Sequence, residues 1–181
     1  MKNVLIISTS NRNGSNSEIL AKKFLEGALA SNNNVEFISL KNKEIKYCLG
    51  CLVCQKTKKC VINDDVKEIL DKIKHSEVIA FATPIYFYEM AGQMKTLLDR
   101  TNPLYPDEER KFKDIYLIAT CADEDESALN RVIQGLQGWI DCFDDVELKG
   151  VIYGIGANDP NQVNKMTKLQ EQAFEIGKEI K

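Results

Sequence analysis

Five short apolar runs rich in β-branched residues, Val4–Ile7, Val35–Leu40, Val78–Ala82, Ile115–Thr120 and Val146–Ile152, recur along this chain of 181 residues. Most are continuous rather than alternating, the pattern of strands covered on both faces. Stretches of helical spacing separate them: Ser17–Ala30, Asp65–Lys74, Gln93–Arg100 and Glu126–Phe143, with Gln162–Ile180 after the last run. Regular alternation of this kind predicts an α/β fold, a parallel sheet with helices on both faces. The five-stranded, doubly wound arrangement of order 2-1-3-4-5 is the natural candidate, and it gathers ligands at the carboxyl ends of strands 1 and 3. No internal repeat or proline-rich linker interrupts the pattern, so residues 1–181 read as one domain.

A domain of this size buries most of its unfolded surface without covalent staples. Only four apolar residues, Val4–Ile7, precede Ser8-Thr9-Ser10, too few for a secretory signal, and no run reaches membrane-spanning length. The expected setting is cytoplasmic and reducing, where the six cysteines serve as ligands or catalysts rather than bridges. A net charge of −3 offers no general attraction to nucleic acid or to an anionic membrane. The charge is unevenly placed, because residues 41–60 hold six lysines against Glu44, a local +5, leaving −8 elsewhere. A lysine-ringed loop can offset an anionic group or dock an acidic electron-transfer partner; a merely solvated loop would look the same.

That basic stretch carries Cys48, Cys51, Cys54 and Cys60, and the surrounding connection of about 41–63 is too long and aperiodic to be a mere link. Two successive Cys-x-x-Cys steps let thiolates fold around one compact cubane, whereas zinc sites usually set their pairs a dozen or more residues apart. The bacterial ferredoxin run ends Cys-x3-Cys-Pro; here five residues separate the last two cysteines and Val61 replaces the proline. An iron-sulfur site is the leading expectation. A redox dithiol, a zinc site and reduced structural cysteines remain alternatives.

The first strand runs directly into Ser8-Thr9-Ser10-Asn11-Arg12-Asn13-Gly14-Ser15-Asn16-Ser17 and then a helix. Backbone N–H groups and the helix dipole at such a junction hold a phosphate dianion. The run is neither Gly-x-Gly-x-x-Gly nor a Gly-Lys-Ser/Thr loop, so a mononucleotide such as FMN fits it better than a dinucleotide or a nucleoside triphosphate. A plain helix N-cap by Ser15 or Ser17 would account for only part of it. The third strand leads into Thr83-Pro84-Ile85-Tyr86-Phe87-Tyr88-Glu89-Met90, whose aromatics either flank a ligand crevice or pack an interface.

These segments, with Asp64-Asp65 after the cysteines and the pattern Pro84-x-Tyr86 to Lys95-x-x-x-Asp99-Arg100, occur in the order seen in the flavodoxin-like NADPH-dependent FMN reductase superfamily. Over essentially all 181 residues the chain most resembles its iron-sulfur flavoprotein branch. The resemblance implies a flavodoxin-like three-layer sandwich, non-covalent FMN, a 4Fe-4S cluster on Cys48, Cys51, Cys54 and Cys60, and homodimers or homotetramers. Ser10, Arg12, Asn16 and Ser17, with Ser15 nearby, match the phosphate loop. Thr83, Pro84, Ile85, Tyr86 and Phe87 match the segment beside the isoalloxazine ring, and the loop from Thr120 and Cys121 to Asp123 should reach its other side. The implied activity is electron transfer between a reduced carrier, NAD(P)H or a ferredoxin, and a small-molecule acceptor, with no acid-base residue required. A cluster-free quinone, nitro or flavin reductase and a non-catalytic flavodoxin-like carrier are the alternatives.

The remaining candidates read as structural. His75 should lie at a helix C-terminus, and its being the sole histidine argues against histidine-based zinc hydrolysis and a Ser-His-Asp triad. Asp123–Glu126 should open a helix, Cys121 and Cys142 should be small core residues, and Trp139, Ile140 and Phe143 should pack an inner helical face. Tyr86, Phe87, Tyr88 and Met90 are expected to form an exposed apolar patch between subunits.

Overall fold

A computed structural model describes residues 1–181. In chain order its elements are β1 (Asn3–Ser8), α1 (Asn16–Ala30), β2 (Asn34–Ser39), α2 (Val53–Thr57), α3 (Val66–His75), β3 (Val78–Tyr86), β4 (Glu89–Met90), α4 (Gly92–Arg100), β5 (Asp114–Thr120), α5 (Asn130–Ile140), β6 (Glu147–Gly154) and α6 (Thr167–Lys178). The sheet runs β2-β1-β3-β5-β6 with every neighbouring pair parallel. This is the expected order once β4, a two-residue strand antiparallel to the end of β3, is set aside. β4 is too short to leave a periodic signal in the sequence.

Successive residues of a strand face opposite sides, and β1 shows the result. Val4 and Ile6 join Leu20, Phe24, Ala80 and Ala173 in the core under α1 and α6. Leu5 and Ile7 join Ile69, Met94, Phe81 and Leu136 under α3, α4 and α5. Two apolar layers therefore sandwich the sheet, which is the three-layer architecture expected of a flavodoxin-like chain. The outer helices α1 and α6 come together at glycines, where a Cβ on Gly27 would fall 1.9 Å from the Phe174 carbonyl oxygen.

Some boundaries differ from expectation. The helix expected over 126–143 begins as a 3-10 turn, Glu126–Leu129, and its α-helical part ends at Ile140; the stretch from Gln162 likewise starts as a 3-10 turn, Gln162–Lys165. The cysteine connection includes the short helix α2. Cys142 is exposed rather than a core residue, just beyond the end of α5, with its thiol on the Gly138 carbonyl. His75 closes α3 as expected, its Nδ1 2.8 Å from the Asp71 carbonyl oxygen. Trp139 stacks on Phe112 and meets Phe143, and its indole N–H donates to Thr101 Oγ1 at 2.8 Å.

Candidate cofactor crevice and cysteine loop

Parallel pairing aligns the carboxyl ends of β1, β3 and β5, with Ser8 opposite Ala82 and Pro84 opposite Thr120. The three loops that leave them share one end of the sheet. In the first, the Thr9 N–H and hydroxyl both donate to the Ala82 carbonyl, at 2.9 and 3.1 Å, holding the loop against β3. Gly14 turns the chain at φ +65°. Ser15 then caps α1, accepting from the Glu18 N–H at 3.3 Å, with the Ser17 hydroxyl 3.1 Å away. The backbone N–H groups of Gly14, Ser15, Asn16 and Ser17 reach no acceptor within the chain. Ser10 is buried and accepts from the Arg12 N–H, while the Arg12 side chain is exposed. Free amides, three hydroxyls and an exposed cation around a helix start can hold an anion.

Asn16 plays a different part from the expected one. Its side-chain amide donates to the Ala157 and Asp159 carbonyls at 3.1 and 2.9 Å, and its carbonyl accepts from the Val163 N–H at 3.2 Å. The side chain is thus a clasp to the segment after β6, and only its backbone N–H is left for a ligand.

Thr83 is also committed inward, donating to the Pro84 carbonyl and accepting from the Ala91 N–H at 3.1 Å. Pro84 and Ile85 are half-buried, and Tyr86, Phe87 and Tyr88 form the exposed tip of the β3–β4 hairpin. Phe87 and Tyr88 both lie in the left-handed region, at φ 52° and 65°. Two left-handed residues make the I′ geometry usually given to Asn and Gly, and a side chain costs roughly 1–2 kcal/mol at each such position. The turn holds Phe87 97 % exposed at the mouth of the crevice, and the Tyr88 hydroxyl reaches Asp123 Oδ2 at 3.3 Å in the loop after β5. Met90, expected in the exposed patch, is buried because β4 turns it back toward α5. On the opposite side Thr120 and Cys121 are buried, and burial pushes the Cys121 thiol up. Asp125 accepts from the Ser127 N–H and caps the following turn.

Cys48, Cys51, Cys54 and Cys60 line one small pocket with Arg100 and Pro103. Burial and the nearby Cys60, Cys48 and Cys51 thiols raise the Cys54 pKa. The Gly50 N–H points to Cys48 Sγ at 3.5 Å. Left-handed Gly50, Leu52 and Lys58 curl the loop around the sulfurs. No three His, Cys, Asp or Glu side chains converge closely enough to chelate a lone ion. A cubane spreads its irons over a larger body, so its four ligands surround it rather than meet at a point.

The loop is anchored at its base. Asp64 Oδ2 accepts from the Lys46 N–H at 2.9 Å and Asp65 Oδ2 from the Glu44 N–H at 2.6 Å. Arg100, from the end of α4, donates to both Asp64 oxygens at 2.7 and 3.0 Å, to the Lys46 carbonyl at 2.6 Å and to Cys60 Sγ at 3.4 Å. Burial would raise the Asp64 pKa, but the Arg100 hydrogen bonds, the backbone donors and the guanidinium charge outweigh it and hold the carboxyl below its usual range. A separate groove of about 540 Å³ is lined by Asn11 of the β1–α1 loop, by Lys41, Lys43 and Tyr47 at the outgoing arm of the cysteine connection, and by Gly92 at the start of α4.

The sequence reading gave Asp64 and Arg100 no role of their own, although a charged residue one step beyond the apolar Met94, Leu97 and Leu98 of α4 was a usable signal. The clasp segment 157–163 left none, since its contacts to Asn16 lie about 145 residues away in sequence.

Comparison with known proteins now adds to this geometry. Residues 2–143 match the family described as NADPH-dependent FMN reductase. An iron-sulfur flavoprotein of Methanocaldococcus jannaschii is 41 % identical over 101 residues, covering 56 % of this chain and 52 % of that protein. The chain spans about half the length of the iron-sulfur flavoproteins it matches. A Bacillus subtilis protein provisionally named an NAD(P)H-dependent FMN-containing oxidoreductase is 28 % identical over 88 % of both chains. Among solved structures, an NAD(P)H:quinone oxidoreductase from Methanothermobacter marburgensis superposes with a TM-score of 0.77 over 99 % of this chain and 96 % of its own, at 16 % identity, which speaks for the fold alone. With its strand order, its polar β1–α1 loop and a family match over most of its length, the chain belongs to the NADPH-dependent FMN reductase family.

Proposed function

We propose that this chain is an FMN-dependent electron-transfer oxidoreductase whose cysteine loop holds a 4Fe-4S cluster. The observation that carries the reading is the lining of one pocket by all four loop cysteines, in a chain whose β1–α1 loop presents free N–H groups and hydroxyls at a helix start. The cluster fits the donor set: four thiols, with N–H donors from Gly50 and Arg100 at two of the sulfurs. FMN fits the crevice, because four adjacent free backbone N–H groups and the Ser10, Ser15 and Ser17 hydroxyls meet a terminal phosphate, with Arg12 able to close over it. Thr83 fixes the hairpin so that Pro84, Ile85, Tyr86 and Phe87 border the ring on one side, with Thr120 and Cys121 on the other. Once bound, FMN supplies two-electron and one-electron chemistry and the cluster one-electron chemistry.

The residues therefore bind, orient and shield, and no side chain is asked to move a proton. The electron donor is NAD(P)H or a ferredoxin-like carrier, the acceptor is a small molecule, and the exposed aromatic hairpin meets a second copy in a homodimer or homotetramer. The reading places the protein in the cytoplasm, and no helix is long and apolar enough to cross a membrane.

Anaerobic purification followed by iron, acid-labile sulfide and flavin analysis tests the proposal. Four irons and one FMN per chain are expected. FMN without iron would replace this reading by that of a cluster-free NAD(P)H-dependent reductase, and FAD as the bound flavin would refute the assignment of the crevice.

A further inference from the structure

Arg100 is the bulkiest fully buried side chain in the protein. A buried guanidinium needs a partner, and Asp64, itself fully shielded, supplies one. Stability alone is a weak reason to keep such a pair, because well-packed apolar residues of similar volume often do as well. Two observations point to a further role. Nη2 lies 3.4 Å from Cys60 Sγ, so the guanidinium reaches one of the four sulfurs directly. Nε is completely buried yet has no hydrogen-bond partner, although Arg100 lines the same pocket as the cysteines. A shielded donor without an acceptor is rare and asks for a cause.

We propose that Arg100 is a positioning residue for the cluster held by the cysteine loop: it fixes the loop base through Asp64 and Lys46, donates an N–H to the Cys60 sulfur, leaves Nε for an acceptor that the filled pocket supplies, and raises the potential at which the cluster accepts its electron. This rests on the cluster reading above. A thiolate-held cluster is anionic and becomes more so on reduction, and a fixed cation hydrogen-bonded to a ligand sulfur favours the reduced form. Asp64 offsets this only in part. Its oxygens are taken by Arg100 and by the Lys46 and Val66 N–H groups, and its contacts include no cysteine sulfur.

The test uses the FMN-loaded protein purified anaerobically as wild type, as R100K and as the double variant D64N/R100Q. The double variant removes both charges together, so no carboxylate is left buried without a partner. Iron and flavin content report loading, circular dichroism reports folding, and potentiometric titration followed by electron paramagnetic resonance reports the cluster midpoint and spectral shape. All three proteins should fold and keep FMN and iron. The midpoint should move to more negative potential in R100K, whose single ammonium satisfies Asp64 but not Cys60, and further in D64N/R100Q. If the double variant does not fold, R100K carries the test.

Midpoints equal to that of wild type in the folded variants overturn the proposal. So does a folded R100K that has lost its iron, since Arg100 would then be needed only to build the site. Wild type without iron overturns the cluster reading and this inference with it, whereas iron present with an unmoved midpoint overturns this inference alone.

Discussion

Replacing Asn16 with alanine separates two roles that one residue could play at the start of α1. Its side chain makes three hydrogen bonds to the segment after β6, at 3.1, 2.9 and 3.2 Å, and is only 6 % exposed. Each such bond contributes about 0.5–1.5 kcal/mol net, and a buried group left without a partner costs more. Asp159 lies at the surface, so water can satisfy its carbonyl, whereas Ala157 and Val163 are buried and their groups lose their partner. A loss of about 2–3 kcal/mol follows from these terms. In a chain of this size that lowers the melting temperature by about 4–12 °C. The assay is thermal unfolding of the flavin-free protein, followed by FMN titration. Asn16→Ala should melt early without flavin and bind FMN with at most a modest loss, because its backbone N–H remains. A flavin-free melting temperature within about 2 °C of wild type, together with a tenfold or greater loss of FMN affinity, would mean that the amide serves the phosphate and that the clasp contributes nothing.

Ser10→Ala and Ser17→Ala should each weaken FMN by on the order of 1.5–3 kcal/mol, about 10- to 150-fold, as expected for a hydrogen bond to a charged group; unchanged affinity in both would place the phosphate elsewhere. Single alanine replacements of Cys48, Cys51, Cys54 and Cys60 should each lower iron content, while Cys121→Ala and Cys142→Ala leave it intact, and equal loss from Cys121→Ala would refute the loop as the cluster site. Asp107 is buried, which would raise its pKa, yet Lys74 at 2.9 Å and the Glu109 N–H hold it below its ordinary value. With the folded pKa depressed, its contribution is complete above about pH 4 and fades as pH falls further. Asp107→Asn should therefore be less stable than wild type at pH 7 and lose less on acidification below pH 4, and parallel acid-unfolding curves would contradict this.

The sheet was legible because β1, β3 and β5 are covered on both faces, which forces continuous apolar runs that the eye can find. β2 was found through Val35, Phe37 and Ile38 despite its edge position and mixed burial. The cysteine spacing was legible for a similar reason, since four residues so close in sequence can line one pocket without help from the rest of the fold. What ties them was not legible. Asp64 and Arg100 are 36 residues apart, and their meeting depends on how α4 docks. The I′ turn at Phe87 and Tyr88 also escaped notice, because residues that normally avoid that backbone conformation give no sign of adopting it. Asn16 looked like a phosphate ligand because its neighbours do. Its actual partners belong to a tertiary contact with no local signature.

The closing of the cysteine loop on itself has a consequence for how such a chain can change. Glu44 and Lys46 on the outgoing arm are joined directly to Asp65 and Asp64 on the returning one. Everything between those arms leaves and re-enters the fold at a single doorway. Loop-closure entropy grows only logarithmically with length, so lengthening or shortening the excursion perturbs the sheet very little. The segment is in effect a detachable cartridge: its residues can be respaced, exchanged or trimmed to a short turn while the sheet and the loops at its carboxyl end keep their shape.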